Sequence, residues 1–502
     1  MPRHAMLPAM NRPHLAVFPI LAGLTLAASA APEKLPPLDL PVPPAALKQE
    51  RSIAYGVYMQ GSKIGWGMDT RKPNTIDGKA CVISTMEAHI ELKAMDNLVR
   101  LDMADRQTFD AAPPHRLLRL ESIQKMDGQT RKIILTHRQD QTYAVEITEA
   151  GASRKNPDIE MDLRLAHITS PEQWIIDPER KPGEKIGTVE FDQETLGLSS
   201  NTVTLVRMAD WIGPGGKLPV WEIDEYDHAQ KNDVQGCVRR TDGTMVKIEM
   251  AGAFEIRMEP EAVAKRKPDA QADVFLAFSI KTNRKLGPAE KLTDLTVELS
   301  APDGKKTPDL PATANQTVTP GDDGSLTVRI TPGKGTPQPA TDADRADYLK
   351  SNLRYPADHA QVKALAAKAV AGAKSETEKV RKLLAFTDRY LEDSYEVEAL
   401  SVMDLLKSRK GECSAHALLF TTLARAAGIP AREAWGWMYM GDTYQSFGGH
   451  AWNEVILDGH WIPVDPVFQQ IRLDAGHIQS GSGATDSIHT GRITPGLRAT
   501  VK

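Results

Sequence analysis

The sequence predicts an α+β protein in which antiparallel β-rich regions precede a C-terminal domain of helices and a sheet. Three observations support this prediction. Residues 51–260 alternate between apolar and polar side chains, and hairpin-type turns interrupt them. After residue 345 the apolar residues recur at helical spacing instead. Two short strand-like runs then flank Asp458 and Gly459, a residue pair typical of two-residue hairpin turns.

Length and charge narrow the function classes. The 502 residues are enough for two or three packed domains. The formal net charge is −5, and charged residues are spread along the chain rather than grouped. We therefore expect no nucleic-acid partner and no binding to an anionic membrane surface.

Residues 1–30 have the order of a secretory signal peptide. Arg3 and Arg12 precede an apolar run of 14 residues, and the small residues of Ala28–Ala30 then suit cleavage. The run is too short to span a bilayer comfortably, although it could stay as an uncleaved anchor. We therefore expect a periplasmic or secreted protein that is not an integral membrane protein.

Composition divides the rest of the chain. Residues 31–50 are Pro-rich and predict an extended linker before the β-rich domain at 51–260. Strand-like runs separated by Asp- and Gly-containing turns predict a small β module at 268–335, or an extension of the first sheet. A second linker precedes the core domain, which we place at 345–495.

The chain has three cysteines, an odd number for an exported protein. Cys81 and Cys237 lie in the N-terminal half and could form a disulfide, which would leave Cys413 as a free thiol. The alternative is that Cys81 and Cys237 are both buried and reduced.

Cys413 lies where a helix is predicted to begin. A wide apolar stripe follows it, and Gly428 and Pro430 then end the helix. Gly411 allows a tight turn into the helix. In the first turn, the unpaired N–H groups and the helix dipole favour a thiolate and can also bind an oxyanion. The alternative is a small buried cysteine used in packing.

His450 and Asp465 are predicted to meet across the hairpin. If Asp458 and Gly459 form a two-residue turn, Leu457 pairs with His460, and His450 and Asp465 become diagonal neighbours on one face. An imidazole held by a carboxylate is a base with an orienting partner. His450 could instead cap a strand end, and Asp465 could anchor a turn. With Cys413, the pair predicts a Cys-His-Asp site.

The segments GECSAHALLFTTLARAAGIPAREAWGW, HAWNEV and WIPVDPVF occur in this order. Together they resemble the core motif of the transglutaminase-like superfamily, and the resemblance covers about residues 345–480. It implies a papain-like α+β core at the C-terminus, with a thiol-bearing helix packed on an antiparallel sheet. By this resemblance Cys413 is the nucleophile, His450 the general base and acid, and Asp465 the orienting carboxylate.

The sequence departs from the family pattern at the oxyanion site. Members of the family place a Trp or Gln side chain there, upstream of the cysteine, and this segment has neither after Gln361. Ser394 or Tyr395 could substitute. No acidic loop matches the calcium sites of animal transglutaminases, and no metal-ligand spacing is present, so we expect no cofactor and no metal.

Three further features near the motif have a structural and a functional interpretation. His416 could tune the thiol, but we favour a structural or rim role. Four nearby tryptophans are expected to pack in the core, with a wall of the substrate groove as the alternative: Trp435, Trp437, Trp452 and Trp461. For Arg432 we expect a structural ion pair.

These features predict a thiol enzyme that acts on amide bonds through a thioester acyl-enzyme. Water as the acceptor would make it a protease or amidase, whereas an amine would make it a crosslinking enzyme. We expect a peptide, protein or cell-wall peptide substrate. The rival hypothesis is a weakly active or inactive scaffold with a binding or assembly role in the cell envelope.

Overall fold

The computed structural model describes residues 33–502 except 95–96, 127, 194–195, 215, 229–231, 251–253, 269–278, 303–306, 336, 395–400 and 484–495. The predicted signal peptide therefore lies outside the described residues. The described chain is mostly β-sheet with few helices, and it forms two compact units whose main boundary follows residue 272. Within the described part of the chain, no helix is both long and apolar enough to cross a membrane.

The N-terminal unit is built on one antiparallel sheet. Its described strands are β1 (Arg51–Met59), β2 (Ser62–Ile76), β3 (Lys79–Ala94), β4 (Asn97–Asp110), β5 (Leu117–Met126), β6 (Gln129–Gln139), β7 (Thr142–Glu149), β8 (Ala152–Glu160), β9 (Lys185–Asp192), β10 (Gly197–Gly213), β11 (Gly216–Asp227), β12 (Asn232–Arg239), β13 (Met245–Met250) and β14 (Phe254–Glu259). Each strand of β1–β8 pairs with the next, as does each strand of β9–β14, and β1 pairs with β14.

The alternating pattern explains these strands. In β7 the side chains of Tyr143, Val145 and Ile147 are buried, and less buried residues lie between them. Such a period of two places every second side chain on the core face of a sheet. The turn between β1 and β2 has positive φ angles at Gln60 (48°) and Gly61 (81°), as two-residue hairpins require.

The Pro-rich segment differs from a free linker. It contains α1 (Pro44–Lys48), and the N–H of Leu38 donates to the Gly187 carbonyl at 2.9 Å. The apolar side chain of Leu38 packs against a core cluster that includes Trp174. Trp174 belongs to α2 (Leu165–Ile175), a helix that the strand-like pattern of this region did not predict.

Cys81 and Cys237 are both free, so the possible disulfide is absent. Cys81 lies on β3 and Cys237 on β12, and four strands separate β3 from β12 in the sheet. Sequence spacing could not reveal this separation, because it depends on the order of strands in the sheet.

The C-terminal unit combines a second sheet with helices. Its described strands are β15 (Ile280–Thr282), β16 (Leu295–Ser300), β17 (Gln316–Pro320), β18 (Leu326–Ile330), β19 (Gln338–Pro339), β20 (Glu392–Asp393), β21 (Lys410–Gly411), β22 (Ala431–Tyr439), β23 (Ser446–Leu457), β24 (His460–Asp465), β25 (Gln470–Ile471), β26 (His477–Gly483) and β27 (Arg498–Val501). Helix α3 (Glu261–Ala264) precedes the boundary and belongs to the N-terminal unit. The described helices of the C-terminal unit are a 3₁₀ turn (Ala289–Lys291), α4 (Asp342–Asp347), α5 (Ala360–Ala369), α6 (Glu376–Tyr390), α7 (Val402–Ser408) and α8 (Cys413–Ala426).

The strands predicted for a separate small module belong to the sheet of the core. Its main path runs β17-β18-β16-β27-β15-β23-β22-β26, and β24 pairs with β23 off this path. The link is β27, which pairs antiparallel with β16 and parallel with β15. The second linker is also structured, because β19 pairs with β24. Such long-range pairings are invisible to a local sequence pattern.

Helix α8 packs on β22 and β23, helices α5 to α7 pack on α8, and all four bury their apolar faces in one core. Leu383 and Leu384 of α6, Leu419 of α8 and Val455 of β23 belong to the same cluster. The predicted cap of α6 is present, since Ser375 accepts the N–H of Glu378 at 3.2 Å. The Glu378 carboxylate accepts the N–H of Lys374.

The hairpin of β23 and β24 has the predicted register. Leu457 pairs with His460, and the same register continues to Asn453 and Val464. Asp458 and Gly459 have φ angles of 49° and 76°, the left-handed values that a two-residue turn of this kind needs. The position of the turn therefore determines which side chains of the two strands share a face.

We expect the Gln316→Ala variant to destabilise the C-terminal unit. The buried Gln316 side chain donates to the Gln479 carbonyl at 2.8 Å and accepts the Gln479 N–H at 2.9 Å. Truncation leaves both groups unpaired, so the free energy of unfolding should fall by about 2–4 kcal/mol in denaturant titrations. The control, Gln338→Ala, removes one bond at the surface and should change it by less than about 1 kcal/mol. Equal effects of the two variants would contradict this account.

Candidate active site

Cys413 is the first residue of α8, and Glu412 is the helix N-cap. The Glu412 carboxylate accepts the N–H of Ser414 at 2.9 Å and also the Ser414 hydroxyl. The thiol of Cys413 donates to the same carboxylate, with 3.1 Å between Sγ and Oε2. Both residues are buried, Cys413 being 2% and Glu412 4% exposed.

The ends of α8 follow from its glycines. At Gly411 a Cβ would lie 2.2 Å from the Cβ of Ala415, so the residue is required by close packing against the helix. At the other end, Gly428 has a φ of 81°. The N–H of Ile429 donates to the Ala424 carbonyl, and that of Gly428 to the Arg425 carbonyl, which together form a Schellman motif.

The surroundings of Cys413 act against the thiolate that the start of a helix favours. Burial raises the pKa of the Cys413 thiol well above its usual value, and the adjacent Glu412 carboxylate raises it further. The N–H of Ala451 acts in the opposite direction but does not outweigh them. Burial also raises the pKa of Glu412, and the hydrogen bonds from Ser414 offset part of this shift.

The structure brings His450 and Asp465 together, as the register predicts. The distance between His450 Nε2 and Asp465 Oδ2 is 2.7 Å, and both side chains are fully buried. Cys413 lies beside this pair, because it packs in one small cluster with Ala451 and Val467. A thiol, an imidazole and a carboxylate therefore come from α8, β23 and the end of β24.

Asp465 also holds a second histidine that the sequence analysis missed. His477 at the start of β26 lies with Nε2 3.4 Å from Asp465 Oδ2, and its Nδ1 lies 2.9 Å from Asp474 Oδ1. Burial would lower the pKa of His477, but the Asp474 and Asp465 carboxylates raise it to about 9. The signal was available in the sequence, since an Asp-x-x-His spacing follows the motif.

The two histidines have opposite pKa shifts. Burial lowers the pKa of His450 despite the nearby Asp465 carboxylate, and the charge of His477 contributes to this lowering. Burial would raise the pKa of Asp465, but the His450 and His477 rings hold it well below its usual range. These shifts favour a neutral His450 and a charged His477 on either side of an ionised Asp465.

Aromatic side chains surround the His450 ring. Trp452 is fully buried, with its ring centroid 5.7 Å from that of His450. Phe468 is 36% exposed and meets the His450 ring edge-on at 5.8 Å. Trp452 therefore packs in the core, as expected, and Phe468 is the aromatic residue at the solvent side of the ring.

Among the described residues, one group of side chains is close enough together to be considered as a metal site. It consists of His450, Asp465 and His477, and one nitrogen or oxygen atom of each lies within 4.8 Å of the others. A metal ligand needs an unprotonated ring nitrogen. Each ring nitrogen of His477 lies against a carboxylate oxygen, and an ionised carboxylate can only accept a hydrogen bond. Each nitrogen therefore carries a proton in this arrangement. This donor arrangement fits a hydrogen-bonded network rather than a metal site.

The segment before α8 carries the two residues considered for the oxyanion site. The buried Ser394 donates its N–H to the Gly411 carbonyl at 3.2 Å, whereas Tyr395 lies outside the described residues. His416 is buried, with Nδ1 2.9 Å from the Glu412 carbonyl and Nε2 3.7 Å from Asp393. These contacts suit a structural role for His416.

Arg432 forms the structural ion pair that was expected. Its guanidinium lies 2.7 Å from the Glu454 carboxylate and 3.8 Å from the Trp461 ring centroid. Glu454 in turn accepts a hydrogen bond from Gln479 on β26. The pair thus supports the strands that carry His450 and His477.

The segment that carries Cys413, His450 and Asp465 is similar to known proteins. Residues 363–466 match the family model of the transglutaminase-like superfamily. The chain is 34% identical over 106 residues to kyphoscoliosis peptidase of Mus musculus, and this match covers 18% of the chain. It covers 16% of the mouse protein, so the chain spans less than a fifth of that relative's length.

Two solved structures are similar to parts of the chain. The periplasmic domain of TgpA from Pseudomonas aeruginosa, solved with bound ethylmercury, is 19% identical, with a TM-score of 0.26. The match covers 38% of this chain and 90% of that domain. A β-barrel-like protein from Brucella abortus is 14% identical, with a TM-score of 0.29 and coverage of 42% and 95%.

We expect the stability of the C-terminal unit to fall as the pH rises from 6.5 to 9. The pKa of His477 is about 9 in the fold and 6.5 without its partners. Its stabilisation is therefore complete below pH 6.5 and is lost as His477 deprotonates. The loss should approach about 3 kcal/mol in denaturant titrations over this range.

The His477→Gln variant should lack most of this pH dependence. The control His460→Gln changes an exposed histidine whose Nδ1 contacts the Asp458 carbonyl, and it should keep the wild-type slope. A wild-type stability that stays constant between pH 6.5 and 9 would refute the charged state of His477.

Proposed function

Residues 363–466 form a transglutaminase-like domain, and we propose that its buried Cys413, His450 and Asp465 make the chain a thiol enzyme that acts on amide bonds. The observation that carries the proposal is the 2.7 Å contact between His450 and Asp465, next to a cysteine at a helix N-terminus. Three residues from separate elements converge there, as nucleophilic catalysis requires. A papain-like α+β arrangement, with the thiol-bearing helix packed on the sheet, is part of this proposal.

The contacts suggest how protons would move. Asp465 holds Nε2 of His450, so Nδ1 is the nitrogen that exchanges a proton with the thiol and the leaving amine. Cys413 Sγ bonds to the amide carbon as its proton passes to Nδ1. The C–N bond then breaks as Nδ1 protonates the amine, which leaves a thioester on Cys413.

The N-terminus of α8 would stabilise the oxyanion of this reaction. Its first N–H groups lack partners within the helix, and the helix dipole is positive at this end. The Ser414 N–H donates to Glu412, so this donor is already used. We propose that the buried Ser394 supplies a hydroxyl that helps the N-terminus of α8 to bind the oxyanion.

The acceptor determines the reaction class, and we favour hydrolysis over crosslinking. Water would release an acid, giving protease or amidase activity, and an amine would form a new amide. The mouse relative is named a peptidase, although it matches this chain over a limited segment. The partly exposed Phe468 beside His450 would line the groove for a peptide, protein or cell-wall peptide substrate.

We propose a periplasmic or secreted location for this activity. The support is the N-terminal sequence, in which Arg3 and Arg12 precede an apolar run and small residues. An exported enzyme of this kind would meet the peptides and proteins of the cell envelope.

Each residue of the proposed triad should be needed for turnover. Cleavage of a casein-type protein substrate should be abolished in Cys413→Ala and reduced about 10²–10⁴-fold in His450→Ala and Asp465→Asn. Asp465→Asn keeps the shape but removes the charge that orients and supports the imidazole.

The matched control is His460→Ala, which removes an exposed histidine from the same hairpin and should retain full turnover. A peptide-based electrophile that binds in the way a substrate does should label Cys413 faster than Cys81 or Cys237, because His450 takes the thiol proton as the bond forms. His450→Ala should slow that labelling. Labelling at equal rates, with His450→Ala unchanged, would instead favour the scaffold hypothesis.

Product analysis should separate hydrolysis from crosslinking. A glutamine-containing peptide, incubated with and without a primary amine, should give shortened or deamidated products in both cases by mass spectrometry. A product that contains the amine, formed at the expense of the hydrolysed one, would show crosslinking and contradict the preference for water.

A further inference from the structure

A negative group lies against the proposed nucleophile. The Glu412 carboxylate accepts the Cys413 thiol proton at 3.1 Å and is buried beside it. Two bonds from Ser414 hold the carboxylate in this position as the cap of α8. A thiolate formed here would lie within contact distance of another anion in a site that excludes water, which is unfavourable.

A positive group lies near the proposed base. His477 bridges the Asp465 and Asp474 carboxylates, and its ring centroid lies 5.5 Å from that of His450. A ring that donates to two carboxylates at once carries both protons and is a cation. The positive charge of His477 offsets the negative charge of Asp465. Asp465 therefore stabilises the imidazolium form of His450 less than it would alone.

We propose that Glu412 and His477 are positioning residues that keep Cys413 as a thiol and His450 as a neutral imidazole in the free enzyme. This inference rests on the proposed function, because it concerns the same nucleophile and base. The alternative resting state is a thiolate–imidazolium pair, in which both reacting groups are already charged. The negative charge of Glu412 opposes the thiolate, and the positive charge of His477 opposes the imidazolium.

Other charged and titratable groups around the thiol do not replace these two. On α8, His416 directs Nδ1 to the Glu412 carbonyl, and Asp393 of β20 lies 3.7 Å from the other side of that ring. From the sheet side, the Asp465 charge acts on the thiol, but its carboxylate contacts His450, and Asp474 contacts His477. Glu412 is the charged group for which a contact with Sγ is observed.

In this mechanism the charged nucleophile forms later than it would in a preformed thiolate–imidazolium pair. The thiol proton leaves Sγ only as the bond to the substrate carbon develops, and it passes to Nδ1 of His450. The proton then goes to the departing amine, so no charge builds up on the pair before the substrate is bound. Glu412 keeps the same ionisation state throughout this sequence.

Titration of the thiol in the full chain tests the proposal without a substrate. The ultraviolet absorbance of thiolate is followed against pH, and the Cys413→Ala spectrum is subtracted to remove Cys81 and Cys237. The wild-type difference should show no thiolate at pH 7. Glu412→Gln should lower the thiol pKa by at least about one unit and raise alkylation by iodoacetamide at pH 7 about tenfold or more.

Three further variants separate the effect of charge from that of shape and stability. Glu412→Asp keeps the carboxylate and a good helix cap, so it should retain the wild-type titration. His477→Gln should increase alkylation at neutral pH, because it removes the cation that opposes protonation of His450. Ser401→Ala deletes the cap of α7, where Ser401 accepts the Asp404 N–H at 3.1 Å. It should lower the melting temperature but leave the thiol titration unchanged.

Either of two results would overturn the proposal: a wild-type thiol already ionised at pH 7, or a Glu412→Gln titration equal to the wild type. If Glu412→Gln does not fold, the wild-type titration alone decides. Because no substrate is used, a chain that fails to process peptides but shows the expected shift refutes the proposed function alone. A chain that cleaves peptides with a preformed thiolate refutes this inference alone.

Discussion

The buried carboxylate of Asp465 is the point on which the site depends. Oδ2 contacts His450 and His477, and Oδ1 accepts the N–H groups of Val467 and Phe468. An ionised carboxylate without exposure to water is costly unless its oxygens are all hydrogen-bonded. These partners come from β23, β26 and the turn after β24. The carboxylate is therefore compatible with one register of those three strands.

Local signals made much of this site predictable. The Asp458-Gly459 turn determines the pairing of β23 with β24, and side-chain alternation then carries His450 and Asp465 to the same face. Gly428 with a positive φ ends α8 where the sequence predicts it. Each of these predictions uses interactions among residues a few positions apart, which a single sequence records directly.

The parts that were missed depend on burial and distant pairing. The sequence spacing predicted Cys413 at a helix N-terminus. It did not predict that the thiol would be buried with the Glu412 carboxylate against its sulfur, and these surroundings raise the thiol pKa where the helix start alone would lower it. His477 acquires its role only when β26 pairs with β22. Likewise, the strands β16 to β18 resemble a separate module until β27 is seen to join them to the core.

The position of β27 also affects the order in which the C-terminal unit can assemble. Glu298 on β16 pairs with Thr500 on β27, so some two hundred residues separate the two partners along the chain. All the helices over the site and the hairpin that bears His450 lie between them. Contacts of such long sequence separation have a large loop-closure cost and slow folding. During synthesis, β27 therefore emerges after the elements that carry Cys413 and His450. Until then, the edges of β15 and β16 that will pair with β27 stay unpaired.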